Sequence, residues 1–217
     1  MTNLSEFAGI ISCFAKYCQT DTAASVLPVG YLRISKTFFT GPLPSEVGHL
    51  SYLQEMWAHK TTLSGTIPTE VGLMKELKDF RVSATFTSGT IPEELYDVRD
   101  IFRIDVSNSN ISGTISTKIG QLADLEFFKA RHTDLSGEIP SEFNQLTGLR
   151  QVLFEHTDLT GAIPEGLCEL RNESVLLELV ANCLVSDGMK SAPVACPAGC
   201  CTGCCDMMTT KCVLYDA

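Results

Sequence analysis

Positive charge is scarce in this chain. Sixteen Lys and Arg stand against 26 Asp and Glu across 217 residues, a formal net charge of −10, and no basic run occurs anywhere. Nucleic-acid phosphates would repel such a protein, so nucleic acid is excluded as a partner. Long apolar runs are lacking as well. The longest, from Phe7 to Ala15, is broken by Ser12 and Cys13 and is too short to cross a bilayer. The start also has no basic n-region of the kind that opens a secretory leader. No membrane contact is expected from the chain itself, and a signal peptide or transmembrane anchor is expected upstream of Met1. Glycine-rich phosphate loops, the nucleophile elbow and the HExxH helix are missing. We therefore assign no enzyme, no cofactor and no metal site.

What is present is a repeat. Gly41, Gly65, Gly89, Gly113, Gly137 and Gly161 follow one another at intervals of 24 residues, each opening a near-copy of the phrase GTIPTEVG. A period in the twenties signals a stacked coil in which each unit touches only its neighbours. Counting from each Gly, apolar residues recur two, six, nine and twelve positions later, as in Ile67, Val71, Met74 and Leu77. Only the next coil can bury those columns, so an isolated repeat has no core. Before each Gly a short alternating stretch turns one pair inward: Leu32/Ile34, Met56/Ala58, Phe80/Val82, Ile104/Val106, Phe128/Ala130, Val152/Phe154. Period-two alternation reads as a strand with one buried face. Pro44, Pro68, Pro92, Pro140 and Pro164 suit the first position of a short helical turn. In the third repeat the inward slot before Gly89 reads as Phe86 slipped by one, since Thr87 stands where the others carry an apolar residue. Four residues before each Gly stands a hydroxyl (Thr37, Thr61, Thr85, Ser109, Thr133, Thr157), placed to pair with loop backbone that would otherwise be buried unsatisfied.

Eight of ten cysteines come after residue 167: Cys168, Cys183, Cys196, Cys200, Cys201, Cys204, Cys205 and Cys212. A dense, even cluster behind the last repeat reads as a disulfide-stapled cap over the apolar end of the solenoid. The spacing of Cys201 and Cys204 also suits zinc, but the adjacent doublets are awkward for one tetrahedral site. Connectivity is open. Disulfides imply an oxidising compartment, and sequons at Asn3, Asn110 and Asn172 agree as candidate glycosylation sites.

The phrase from Leu63 to Gly72, LSGTIPTEVG, resembles the plant-type leucine-rich repeat of receptor-kinase ectodomains and polygalacturonase-inhibiting proteins, in phase from about Tyr31 to Leu184. The terminal CCTGCCD at 200–206 resembles the cysteine-rich cap of leucine-rich repeat surface proteins from diatom-like algae. The resemblance implies an α/β fold: a right-handed solenoid with a parallel β-sheet on its concave face and short 3₁₀ or α turns on the convex side. It divides the chain into an N-terminal cap or truncated leader (1–30), a solenoid (31–184) and a cysteine-rich cap (185–217). It also implies extracellular or cell-surface recognition. That family usually carries Asn where this chain has Thr or Ser, so a hydroxyl ladder is expected instead of an amide ladder.

Outward strand residues form columns on the expected concave face. One runs Tyr31, Glu55, Asp79, Arg103, Phe127, Gln151; the next Arg33, Trp57, Arg81, Asp105, Lys129, Leu153; the third Ser35, His59, Ser83, Ser107, Arg131, Glu155. These slots vary while the apolar slots do not, as a recognition surface on a repeated scaffold should. Aromatic residues and Arg most often dominate binding energy, so Tyr31, Arg33, Trp57, Arg81, Arg103, Phe127, Lys129 and Arg131 are the candidate ligand contacts. Lateral ion pairs (Asp79 with Arg103, Asp105 with Arg81 and Lys129, Arg131 with Glu155) account for the same charges without a ligand, and Trp57 can lie flat between two Arg stems. A glycan on Asn110 is expected to crowd the centre of this face. His132 and His156, equivalent in consecutive repeats, could take a metal or report pH, and ordinary solvation explains them too.

Three functions compete: a recognition module binding a protein or glycan through the concave face, a structural or adhesive wall-associated repeat protein without a specific ligand, and a surface-adsorbing protein using Ser64/Thr66, Ser88/Thr90 and Ser112/Thr114 on ice or mineral.

Overall fold

The computed structural model describes residues 30–184, 193–197, 199–205 and 212–214. Cys13, Cys18 and Asn3, and most of the expected N-terminal cap, lie outside the described residues.

Each 24-residue unit contributes to two sheets. The first has nine strands in the order β1 (Tyr31–Arg33), β3 (Glu55–Trp57), β5 (Asp79–Arg81), β7 (Arg103–Asp105), β9 (Phe127–Lys129), β11 (Gln151–Leu153), β13 (Glu178–Ala181), β15 (Gly203–Cys205) and β16 (Cys212–Leu214). All pairs are parallel except the last, β15 with β16. The register joins equivalent residues, Tyr31 to Glu55 and Arg33 to Trp57, and so on to Leu153 beside Val180. The expected columns are therefore real.

The sequence reading did not anticipate a second sheet. It has seven strands: β2 (Thr40–Pro42), β4 (Thr62–Thr66), β6 (Phe86–Gly89), β8 (Asn110–Gly113), β10 (Asp134–Glu138), β12 (Asp158–Ala162) and β14 (Val194–Ala195), all parallel. It is built from the Ser-Gly-Thr phrase itself. The Gly residues explain their own recurrence: Gly113 sits at φ +81°, and a Cβ there would meet Thr90 Cγ2 at 2.7 Å. The methyl of one coil fills the space where the next coil has no side chain, and only Gly tolerates that φ cheaply.

Five 3₁₀ turns follow (Ser45–His49, Thr69–Leu73, Glu93–Asp97, Thr117–Gln121, Ser141–Gln145), and the sixth coil substitutes a true α-helix, α1 (Glu165–Asn172). The Pro residues stand one place earlier than expected, in the extended cap position before the first helical residue, as at Pro68 (φ −71°, ψ 146°). Ser116 replaces Pro in the fourth coil, and its hydroxyl accepts the Lys118 N–H at 3.2 Å.

The inward columns form one continuous core in which Met56, Phe80, Ile104, Phe128, Val152 and their neighbours are fully buried. Burial of one such large side chain stabilises by about 1.5–3 kcal/mol. Phe128, Phe143 and Phe154 pack edge-on to tilted, with centroids 5.6–6.0 Å apart. In the third coil Thr87, not Phe86, takes the inward slot. Thr87 is buried and bonded to Thr85 at 2.8 Å, while Phe86 points out.

The hydroxyl column forms no ladder. Each side chain donates back to the carbonyl three residues earlier in its own coil, from Thr37 to Ile34 through Thr157 to Phe154, at 2.5–2.8 Å. A one-atom reach closes the local turn and stops there. In the seventh coil an amide side chain two places before that column does bridge coils: buried Asn182 accepts the His156 N–H at 2.7 Å and donates to Thr157 O at 2.6 Å.

The eight cysteines pair as Cys168–Cys200, Cys183–Cys204, Cys196–Cys201 and Cys205–Cys212. The first fastens α1 to the cap, and the second joins the β13 coil to β15, so the concave sheet continues across the boundary expected at residue 184.

Candidate ligand-binding face

Strands of three residues leave two side chains per coil facing out of the nine-stranded sheet. Those side chains are organised. The Arg33 guanidinium lies 5.0 Å from the Tyr31 ring and 4.2 Å from Trp57, and Arg81 lies 4.4 Å from the other face of Trp57. Each Arg is held from behind by a carboxylate. Arg33 donates to Glu55 Oε2 at 2.9 and 2.6 Å, and Arg81 donates to Asp79 at 2.8 and 2.5 Å. The Asp79 bond is the chief cause that raises the Arg81 pKa. The result is a rigid stack, ring–cation–ring–cation, across three coils.

Two sequence expectations change here. Asp79 pairs with Arg81 on its own strand, not with Arg103. Asp105 pairs with neither Arg81 nor Lys129 but accepts the Ser83 hydroxyl at 3.0 Å and the Ser107 N–H at 3.1 Å. The third expected pair is present: Arg131 lies 3.7 Å from Glu155. Trp57 has both ring faces covered, so it serves as the plate that fixes two guanidiniums and cannot stack on a sugar.

A second stack starts at Phe102, a residue that the column reading left out because it precedes the strand. Arg103 lies 5.5 Å from Phe102 and 4.1 Å from Phe127, with Lys129 5.8 Å from Phe127. Burial, then Arg81, pulls the Arg103 pKa down. Tyr31, Arg33, Trp57 and Arg81 thus form one patch, Arg103, Phe127 and Lys129 the next, and Arg131 stands at its edge.

The open face ends sooner than the columns suggested. Leu153 is buried with Val180 and Cys205 in a small apolar cluster of its own. Glu155 is buried as well; burial raises its pKa, and its Oε2 has no hydrogen-bond partner. His132 and His156 stack with centroids 4.3 Å apart. Asn110 lies on β8 of the other sheet, pairing with Ser88, so a glycan there would stand beside Ser112 and Thr114 and not on the nine-stranded face. Asn172 is exposed at the end of α1.

Neither a family model nor a curated protein sequence matches the chain. Solved structures do. The Arabidopsis receptor kinase HAESA, in complex with the peptide hormone IDA and the co-receptor SERK1, aligns over 72% of this chain and 26% of its own at 28% identity and a TM-score of 0.67. The plant peptide hormone receptor RGFR1, in complex with RGF2, aligns over 70% of this chain and 28% of its own at 28% identity and a TM-score of 0.57. A plant ice-binding protein aligns over 64% of this chain and 45% of its own at 31% identity and a TM-score of 0.59. The fold is a leucine-rich repeat solenoid. The chain spans about a quarter of the length of the two receptor structures and under half of the ice-binding protein. The diatom-like resemblance of the cap remains a reading of the sequence.

No helix among the described residues is long and apolar enough to cross a membrane.

Proposed function

We propose that this leucine-rich repeat solenoid is an extracellular recognition module that binds an extended peptide along its concave face. The observation that carries the reading is the pair of cation–aromatic stacks, preformed on the one surface whose residues change from coil to coil. Side chains locked before binding lose little entropy on binding, which favours affinity. The similar receptors were solved with peptide hormones, and four disulfides suit an oxidising compartment. Glycan stacking loses its best platform because Trp57 is covered on both sides. Panning a random peptide library against the protein tests the proposal. Recovered peptides should bind Trp57→Ala and Phe127→Ala at least ten-fold more weakly, with the melting temperature of Phe127→Ala little changed. Binders indifferent to both substitutions would sink the reading.

A second reading is favoured by the likeness to an ice-binding protein and by the seven-stranded sheet, where Thr66, Thr90 and Thr114 stand exposed at the same place in three successive coils. Glu138 and Ala162 interrupt that series in the fifth and sixth coils. A glycan on Asn110 would stand in its middle. Inhibition of ice recrystallisation that Thr90→Tyr abolishes would establish this reading; its absence in unglycosylated protein would end it.

A further inference from the structure

Beside the stacks the face opens into a hollow of about 550 Å³. Its floor is small because the third column carries Ser83 and Ser107 where the flanking coils carry His59 and Arg131. Lys36, Lys60, Arg81, Lys129 and Arg131 ring it, with Asp105 and Glu178 among them. Five cations against two carboxylates is the reverse of a chain whose net charge is −10. Several of these charges are already engaged: Arg81 by Asp79, Arg131 by Glu155, and Asp105 by two donors. Lys60 and Lys129 have no ion-pair partner among the described residues. Burial depresses the Lys129 ammonium, and Arg103 and Arg131 add to this against the pull of Asp105 and Glu178.

An independent observation lies at the floor. The Ser107 hydroxyl is buried, the residue being 3% exposed, and it has no hydrogen-bond partner. Its counterparts use theirs: Ser83 donates to Asp105, and Ser35 bonds to His59. Buried hydroxyls are normally satisfied. An unused donor under uncompensated ammonium groups forms a donor set for an oxyanion. A cationic ligand would be repelled, and an apolar one would leave the hydroxyl orphaned.

We infer that this hollow is a subsite for an acidic side chain of the bound peptide, its carboxylate accepting hydrogen bonds from the Ser107 hydroxyl and the Lys129 ammonium, with Lys60 at the rim. The inference rests on the peptide reading and names the chemistry the ligand must carry. Aromatic stacks and hollow sit in adjacent columns, so one extended chain can fill both.

The test uses the full chain with an acetylated, amidated hexaglutamate, which offers side-chain carboxylates and no terminal ones, and with hexagalacturonate of equal charge. Saturable binding of hexaglutamate is expected, followed by the NMR shift of the Lys129 side chain, whose pKa should rise on saturation. Ser107→Ala should weaken it about ten-fold and Lys129→Met by more, with Lys75→Met unchanged. Equal loss in Lys75→Met and Lys129→Met, or none in Ser107→Ala, would overturn the subsite. Tighter binding of hexagalacturonate would overturn the assignment to a peptide. Library peptides that need Phe127 yet bind Lys129→Met normally would refute the subsite alone and leave the peptide reading standing.

Discussion

The two sheets come from the same 24 residues and treat their outward side chains in opposite ways. On the seven-stranded sheet the hydroxyls serve the scaffold. Ser88, Ser112, Ser136 and Thr160 each donate, at 3.3–3.5 Å, to the Gly carbonyl of the preceding coil. Thr66, Thr90 and Thr114 hold their methyls against the next Gly. A side chain bonded to its neighbour's backbone must be the same in every coil, and so it repeats. On the nine-stranded sheet the strand backbone is satisfied by its own ladder, and the outward side chains bond mainly to one another, reaching backbone only at particular coils, as Ser35 does at Trp57 O and Asp105 at the Ser107 N–H. They are free to differ, and they do. Repetition marks the surface that holds the stack together, and variation marks the surface available for recognition.

The largest effect should fall on a residue of the variable face that the scaffold has nevertheless captured. Asp79 is 1% exposed, and its charge is balanced by Arg81. Removing Arg81 leaves a buried carboxylate alone, so Arg81→Ala should cost about 3 kcal/mol, read as a lowered urea midpoint. The double variant Asp79→Leu with Arg81→Met should recover most of it. Arg33 is half-exposed beside Glu55, and Arg33→Ala should cost under about 1 kcal/mol. Equal effects of Arg81→Ala and Arg33→Ala would erase the distinction between captured and free side chains. Arg81→Ala is thus a poor probe of ligand binding, and Trp57 and Phe127 are the better ones.

Next comes the repetitive sheet. Gly113→Ala combines a positive φ with a 2.7 Å approach to Thr90 Cγ2. It should cost about 2 kcal/mol in thermal unfolding. The pair Gly113→Ala with Thr90→Ser removes the methyl, and should recover the part of that loss that comes from crowding. If Thr90→Ser restores nothing, the interlock between coils is not steric.

Much of this was legible in the sequence. The 24-residue period announced the solenoid, and the alternation around Met56/Ala58 and Phe80/Val82 placed the first six strands of the nine-stranded sheet to within one residue. What stayed hidden depended on which neighbour a side chain reaches. The Ser-Gly-Thr phrase carries no apolar alternation, so its strands could not be told from a turn until register put Ser88 against the Gly65 carbonyl. Asp79 had Arg81 two positions away and Arg103 one coil away. Both distances suit an ion pair, and only the coordinates choose. Asn182 went unseen because the strand register sets it level with Glu155, two places before the hydroxyl column, which falls on Leu184 in that coil. Ser107 looked like an ordinary member of a polar column, and only the engagement of Asp105 by the Ser83 hydroxyl and the Ser107 N–H exposes its hydroxyl as unused.

The hydroxyl column and Asn182 offer a finer comparison within the core. Thr133 makes one bond inside its own coil, so Thr133→Val should cost about 1 kcal/mol. Asn182 serves two backbone groups of the neighbouring coil, and Asn182→Leu should cost about 2–3 kcal/mol, with faster hydrogen exchange at the His156 amide. Comparable losses would mean that bridging coils confers nothing beyond closing a turn.

The smallest expected effect separates two groups at the sealed end of the face. Burial, then His156 and Arg131, holds His132 below the ordinary imidazole value of 6.5. The unfolded chain then binds that proton more readily than the folded protein. The contribution of His132 is complete above about pH 6.5 and is lost as the pH falls through the folded value. Glu155 runs the other way. Burial raises it above the ordinary 4.5, against the pull of Arg131, so the folded protein holds its proton more tightly. That contribution is complete below about pH 4.5 and is lost as the pH rises through the folded value. Between these limits the two slopes oppose each other. His132→Gln should therefore lose less stability than the parent between pH 7.5 and 5.5, with the remaining loss shared by His59, which burial and Arg81 also depress. Glu155→Gln should be more stable than the parent at pH 7.5 and fall more steeply on acidification. Melting curves at both pH values read each slope, and parallel shifts in all three proteins would show that neither side chain titrates differently on folding.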